Sequence, residues 1–170
     1  MMERPHVIGY EDLLRCAHGQ YFEEGGPRLP LPDFLMVDRI SHISEEGGAY
    51  GKGQIIAEKD ITPDLWFFKC HFEDDPVMPG CLGVDGLWQL LGFYLGWLGH
   101  LGKGRALGSK EIKYKGEILP TATLVTYRID IRRVLALKLA VAVADATILC
   151  DGVEVTQVKE LKTGLFRVAL

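Results

Sequence analysis

The densest run of reactive side chains is Cys70-His71-Phe72-Glu73-Asp74-Asp75, followed further along by Asp85 and Gln89. Histidine titrates nearest neutrality of all side chains, so His71 can serve as a general base. Asp85 is flanked by Gly83, Val84, Gly86, Leu87 and Trp88. Apolar surroundings disfavour a carboxylate anion and keep such a group in the acid form, able to give a proton to a leaving group. Gln89 lies four residues on, hence on the same helix face, where its amide can orient that carboxyl. On the residues alone each reading has a plain structural rival. His71 is equally a satisfied histidine among aromatics, and Asp85 equally a hydrogen-bonded buried acid.

Other chemistries fit the same residues poorly. Cys70 and His71 are neighbours, so in an extended chain they point to opposite sides and make no nucleophilic dyad. His71, Glu73, Asp74 and Asp75 lack a second histidine or cysteine at a metal-binding spacing. Gly102-Lys103-Gly104 is not a phosphate-binding loop, because the G-x-x-x-x-G-K-[ST] pattern is absent.

The elements that must carry these residues follow from pattern and punctuation. A short helix is expected over Glu11 to Ala17, closed by Gly19, and a loop over Glu23 to Pro32. Phe34 to Ile43 and Ala49 to Ile61 read as two strands joined at Glu45-Glu46-Gly47-Gly48. Thr62-Pro63 opens a brief helical turn through Trp66. The loop ending at Pro79-Gly80 leads into a long apolar helix, to about Leu98, whose free N-terminal N–H groups can hold a developing oxyanion. Gly83, Gly86 and Gly92 lower its propensity by about 1 kcal/mol each, so packing must hold it and other backbone can come close. After the glycine-rich break at 99–104, strands are expected over Thr123 to Val134, Leu137 to Leu149 and Val153 to Leu161, with Asp151-Gly152 as a hairpin turn. This order predicts an α+β domain, an antiparallel sheet wrapped on one helix, rather than a doubly wound nucleotide fold.

The 170 residues suffice for one domain, and a formal net charge of −4 argues against a nucleic-acid partner. Hydrophobic residues at 48% and charged residues at 25% exclude a disordered or fibrous chain. Cys16, Cys70, Cys81 and Cys150 form no C-x-x-C pair, and the first residues lack an apolar leader, so a reduced, cytoplasmic protein is expected. The apolar stretch from Gly86 to Leu101 is short for a membrane span, and extending it takes in Asp85; it reads as a buried helix.

The run Trp66-Phe67-Phe68-Lys69-Cys70-His71-Phe72, then Asp75-Pro76-Val77-Met78-Pro79-Gly80-Cys81-Leu82-Gly83, closely resembles the bacterial 3-hydroxydecanoyl-acyl carrier protein dehydratase/isomerase family. Asp85-x-x-Trp88-Gln89-Leu90, Gly102 to Gly108, Leu119-Pro120-Thr121-Ala122 and Val125 to Ile129 extend the resemblance, which runs from about Leu29 to Phe166. It implies a single hotdog domain over residues 1–170, with 1–28 as an N-terminal helix and loop, paired as a homodimer. It implies His71 as base and Asp85 as acid supplied by the other subunit. It further implies that the Gly80 N–H binds the thioester carbonyl, that the Val77 carbonyl orients the imidazole, and that the His71–Phe72 peptide is cis.

The implied activity is dehydration of 3-hydroxydecanoyl-acyl carrier protein to the trans-2-enoyl thioester and isomerisation to the cis-3-enoyl form, in unsaturated fatty-acid synthesis. No redox or metal cofactor is called for. Relatives that do not isomerise generally carry Glu where this chain has Asp85, which favours the bifunctional branch. The patch that would dock an acidic acyl carrier protein is thinned by Ala136 and Leu137, leaving Arg133, Lys138 and Lys162. The alternatives are a dehydratase without isomerase activity, a thioesterase of the same fold, and a non-catalytic acyl-thioester-binding hotdog module.

Overall fold

In the computed structural model, which describes residues 4–167, one long helix lies in the concave face of a seven-stranded antiparallel sheet. The elements are α1 (Tyr10–Ala17), β1 (Arg39–Ser44), β2 (Gln54–Asp60), a 3-10 turn (Trp66–Lys69), α2 (Gly80–Trp97), β3 (Lys103–Gly108), β4 (Glu111–Tyr114), β5 (Leu124–Ala136), β6 (Ala140–Cys150) and β7 (Val153–Phe166). The strand order is β1-β2-β5-β6-β7-β3, with β4 also on β7. This is the α+β arrangement the sequence predicts, with α2 as the expected buried helix. Among the described residues no helix is long and apolar enough to cross a membrane.

Helix α2 is apolar on nearly all sides because nearly all sides are covered. Val125, Tyr127, Ile129 and Ile131 of β5 rise beneath it, with Ala142, Ala144, Ala146 and Ile148 of β6. The alanines on the central strand let the helix come close to the sheet. Its own glycines do the same: a Cβ on Gly86 would fall 2.9 Å from the Tyr127 hydroxyl, and one on Gly96 would fall 2.8 Å from the Phe22 ring. The lost helix propensity is therefore offset by packing.

Several boundaries differ from expectation. β1 begins at Arg39 rather than near Phe34, because the backbone at Phe34 and Met36 turns aside to bond Gln89. β2 begins at Gln54, since Gly47, Gly48, Gly51 and Gly53 all take positive φ and make the β1–β2 connection a long looped segment. The helical turn after Pro63 is a 3-10 turn that begins at Trp66 and runs to Lys69, rather than one that ends at Trp66. The strands β3 and β4 were not expected as separate elements; their glycines and short lengths hid them, and pairing with β7 makes them. The Asp151-Gly152 turn stands as read, with φ of 47° and 84°.

Candidate active site

His71 stands just past the 3-10 turn, after Cys70, and its N–H donates to the Phe67 carbonyl within that turn at 3.0 Å. The half-buried imidazole donates from Nδ1 to the Val77 carbonyl at 2.9 Å. A carbonyl only accepts, so Nδ1 carries a proton, and in the neutral ring the lone pair is on Nε2. The Val77 N–H in turn donates to the His71 carbonyl at 2.8 Å, and the Phe72 and Asp75 backbones bond each other within that loop. The His71–Phe72 peptide is cis, and the two rings stack at 4.1 Å between centroids. Glu73, Asp74 and Asp75 are exposed on the outside of the loop.

Gly80 opens α2, so its N–H has no intrahelical acceptor. The Tyr114 ring lies against it, 2.6 Å from where a Cβ would stand, which keeps that helix end narrow and bare. Cys81 follows, exposed.

Asp85 lies on the next turn of α2, half-buried. Gln89 Nε2 donates to Asp85 Oδ2 at 2.8 Å and to the Phe34 carbonyl at 3.0 Å, while its Oε1 accepts from the Met36 N–H at 3.0 Å. Gln89 is thus a fully bonded clamp. The sequence pointed to its link with Asp85 but gave no sign of Met36 or Phe34, whose contribution is backbone only. Asp85 and Gln89 face a cavity of about 350 Å³, which runs along α2 past Trp88, Gly92 and Phe93. Cys16 closes another part of the wall, its thiol pushed up to about 11 by burial, so it sits there as an unreactive apolar group.

His71, Val77 and Gly80 do not line this cavity. Within one chain the candidate acid thus lines this cavity and the candidate base does not. The arrangement supplies a basic ring nitrogen beside a bare helix N-terminus, and, separately, an oriented carboxyl at the head of a cavity.

The basic residues expected to dock a partner fall on the outer face of the sheet. Arg133 of β5 and Lys162 of β7 both pair with Val143 of β6, so they rise in one row, about 10 Å apart across two strand spacings. Lys138 stands exposed on the turn between β5 and β6. Arg132 does not join this row; it bonds Asp145 at 3.4 Å.

Residues 29–159 match the model of the family described as FabA-like domain. Among solved structures, the chain is similar to the dehydratase heterocomplex ApeI:P from Xenorhabdus doucetiae, with a TM-score of 0.61 and 14% identity over 82% of this chain and 88% of that one. It is similar to Cj0977, a sigma28-regulated virulence protein from Campylobacter jejuni, with a TM-score of 0.56 and 8% identity over 96% of each chain. A putative thioesterase from Shewanella oneidensis gives a TM-score of 0.54 and 12% identity over 92% of this chain and 97% of that one. At these identities the likeness is one of fold, the hotdog-like α+β fold.

Proposed function

Because the chain belongs to the FabA-like domain family, we propose that it is a 3-hydroxyacyl thioester dehydratase that also isomerises its product. The observation that carries this reading is the Nδ1 bond from His71 to Val77, which in the neutral ring leaves Nε2 as the oriented nitrogen with a free lone pair. In the proposed reaction, Nε2 takes the C2 proton, made acidic by the thioester. The charge that develops on the thioester oxygen is met by the Gly80 N–H. The C3 hydroxyl leaves with the Asp85 proton as water, and the trans-2-enoyl thioester remains.

Dehydration leaves an imidazolium and a carboxylate. Isomerisation uses both: Asp85 takes a proton from C4, and His71 returns one to C2. The double bond moves to the cis-3 position, and both groups regain their starting protonation. The paired steps need no external acid or base.

The separation of His71 from the Asp85 cavity supports a site completed by two chains, the acid of one facing the base of the other. Among the described residues no further strand covers the outer edge formed by β3 and β4 beyond β7, and Leu107 and Tyr114 are exposed on it, which suits pairing with a second copy. Arg133, Lys138 and Lys162 are the proposed contacts for an acidic acyl carrier protein.

The test is product analysis. With a 3-hydroxydecanoyl thioester, purified protein should give enoyl absorbance and then a non-conjugated isomer separable by gas chromatography. Conjugated product alone would leave a dehydratase without isomerase activity, and release of free thiol in place of enoyl product would overturn the reading.

A further inference from the structure

Among the described residues, the buried side-chain nitrogen and oxygen atoms with no hydrogen-bonding protein group are Trp88 Nε1 and Thr163 Oγ1. Both residues line the Asp85 cavity. An indole N–H can only donate, whereas a threonine hydroxyl donates or accepts. Nearly every other buried polar group in a folded protein is bonded, so two orphans on one wall call for a cause.

The same wall carries two residues that packing does not ask for. Along β7 the core-facing side chains run Leu161, Thr163, Leu165, exposed by 0%, 2% and 1%. Valine has threonine's shape and would continue that apolar face without an orphan hydroxyl. Against Thr163 stands Gly92, inside α2, where glycine weakens a helix. A Cβ there would meet only Thr163 Cγ2, at 3.6 Å, an ordinary contact, so alanine would fit. Gly86 is different, because Tyr127 presses on it. Two losses of local stability that converge on one cavity mark a functional wall.

Asp85, Trp88, Gln89, Gly92 and Phe93 follow the i, i+3, i+4, i+7, i+8 spacing of one helix face, and all line the cavity. At the helical rise, Gly92 and the threonine against it stand about 10 Å along the axis from Asp85. The polar pair therefore lies along the course an acyl chain would take from the reacting carbons.

We propose that the Trp88 indole N–H and the Thr163 hydroxyl form a polar subsite within the acyl cavity, which selects chains carrying a hydroxyl or carbonyl oxygen at that depth. The inference rests on reading the Asp85 cavity as the acyl site. A plain alkyl chain at this depth leaves both buried groups unpaired. An in-chain oxygen accepts from the indole and bonds the threonine. A site built to hydrogen-bond an oxygen rejects the analogue that lacks it, through the groups left unpaired.

Binding tests this independently of turnover. Inert thioether analogues of an acyl-pantetheine are titrated by calorimetry: one with a plain decyl chain, and a matched series with a hydroxyl at successive carbons beyond the reacting ones. In the wild type one hydroxylated member should bind at least about tenfold tighter than the plain chain, the equivalent of one good hydrogen bond. Thr163→Val should bind the plain chain more tightly and lose the preference, and Trp88→Phe should reduce it. Thr163→Val should also melt no lower than the wild type, since no protein bond is lost. A wild-type preference for the plain chain over every hydroxylated member overturns the subsite. So does a Thr163→Val variant that melts several degrees lower with its preference intact, because the hydroxyl would then serve the fold rather than the ligand. If the plain analogue binds and a 3-hydroxydecanoyl thioester is dehydrated, only the subsite has failed. If no analogue binds and no thioester is dehydrated, the acyl reading of the cavity falls with it.

Discussion

His71 and Val77 hold each other by two hydrogen bonds: the Val77 N–H donates to the His71 carbonyl, and His71 Nδ1 donates to the Val77 carbonyl. The first closes the loop between them and the second fixes the ring, so one residue sets both the backbone and the tautomer of the proposed base. An asparagine at 71 can keep the Val77 bond through its amide but has no basic nitrogen. His71→Asn should therefore slow dehydration about 10²–10⁴-fold while the thermal midpoint stays within a few degrees. Enoyl absorbance and a melting curve on the same preparation check both halves; full turnover in the variant would remove His71 from the chemistry.

Gln89 does for Asp85 what Val77 does for His71. The Met36 N–H must face the amide oxygen, so the amide nitrogen must face Asp85 Oδ2. A proton on Asp85 then belongs on Oδ1, the oxygen left free to give it. Gln89→Leu leaves the Met36 N–H and the Phe34 carbonyl unpaired, a loss of about 1–3 kcal/mol for each buried group. It should lower kcat more than it raises KM, because the carboxyl loses its aim. Gln89→Glu retains an acceptor for Met36 but sets a like charge beside Asp85, favouring the acid form to higher pH. The pH–rate profile of that variant should move upward, a shift the leucine variant should not show.

The sheet, the long helix and the histidine loop were legible because each is written locally. Alternating apolar residues mark β5 and β7, Asp151-Gly152 marks their hairpin neighbour, and Pro79-Gly80 marks the start of α2. What was not legible is set by contacts distant in sequence. β3 has exposed, glycine-containing residues and becomes a strand through its pairing with β7. The loop at 34–38 breaks from the expected strand to reach Gln89 of α2, a contact that backbone atoms make and side-chain pattern cannot show. Thr163 lies beyond the expected strand end at Leu161, and only the extension of β7 to Phe166, the facing Gly92 and the cavity give it meaning.

The narrow gap between α2 and β5 gives a stability prediction. A methyl on Gly86 would stand 2.9–3.1 Å from the outer atoms of the Tyr127 ring. That ring is fully buried, and its hydroxyl donates to the Met36 carbonyl at 2.8 Å. It cannot swing aside without breaking that bond. Gly86→Ala should thus destabilise the fold by about 1–3 kcal/mol despite alanine's better helix propensity. Gly92→Ala, which meets only an ordinary contact, should be neutral or stabilising. Urea unfolding of the pair checks the contrast.

On the outer face of β6 a buried carboxylate predicts acid sensitivity. Burial by itself raises the Asp145 carboxyl, but the Glu160 N–H, the Tyr50 hydroxyl, Lys159 and Arg132 outweigh it and hold it below the usual carboxylate range. The folded state therefore gives up this proton more readily than the unfolded chain. The stabilisation is complete above the ordinary carboxylate range and is lost as pH falls through it toward the folded value. Asp145→Asn keeps an acceptor but no charge. It should cost about 1–3 kcal/mol at neutral pH, where Arg132 and Lys159 lose their counter-ion. The gap between variant and wild type should narrow as pH is lowered from neutrality to below the ordinary carboxylate range. Denaturant midpoints at both pH values decide it, and a gap that widens in acid would reverse the assignment.

The proposed two-chain site makes a prediction that neither side chain makes alone. In a symmetric dimer with crossed sites, each site takes His71 from one chain and Asp85 from its partner. A dimer of one His71→Asn chain and one Asp85→Asn chain then has one site with both changes and one with neither. Each variant by itself is inactive at both sites. If the chains are unfolded together at equal concentration and refolded, random pairing makes half the dimers mixed, and half the sites in those are intact. About a quarter of wild-type activity should return. Should base and acid instead meet within one chain, every site in the mixture carries one lesion and no activity returns. Mixing without unfolding supplies the control, because subunits that do not exchange cannot rebuild the intact site.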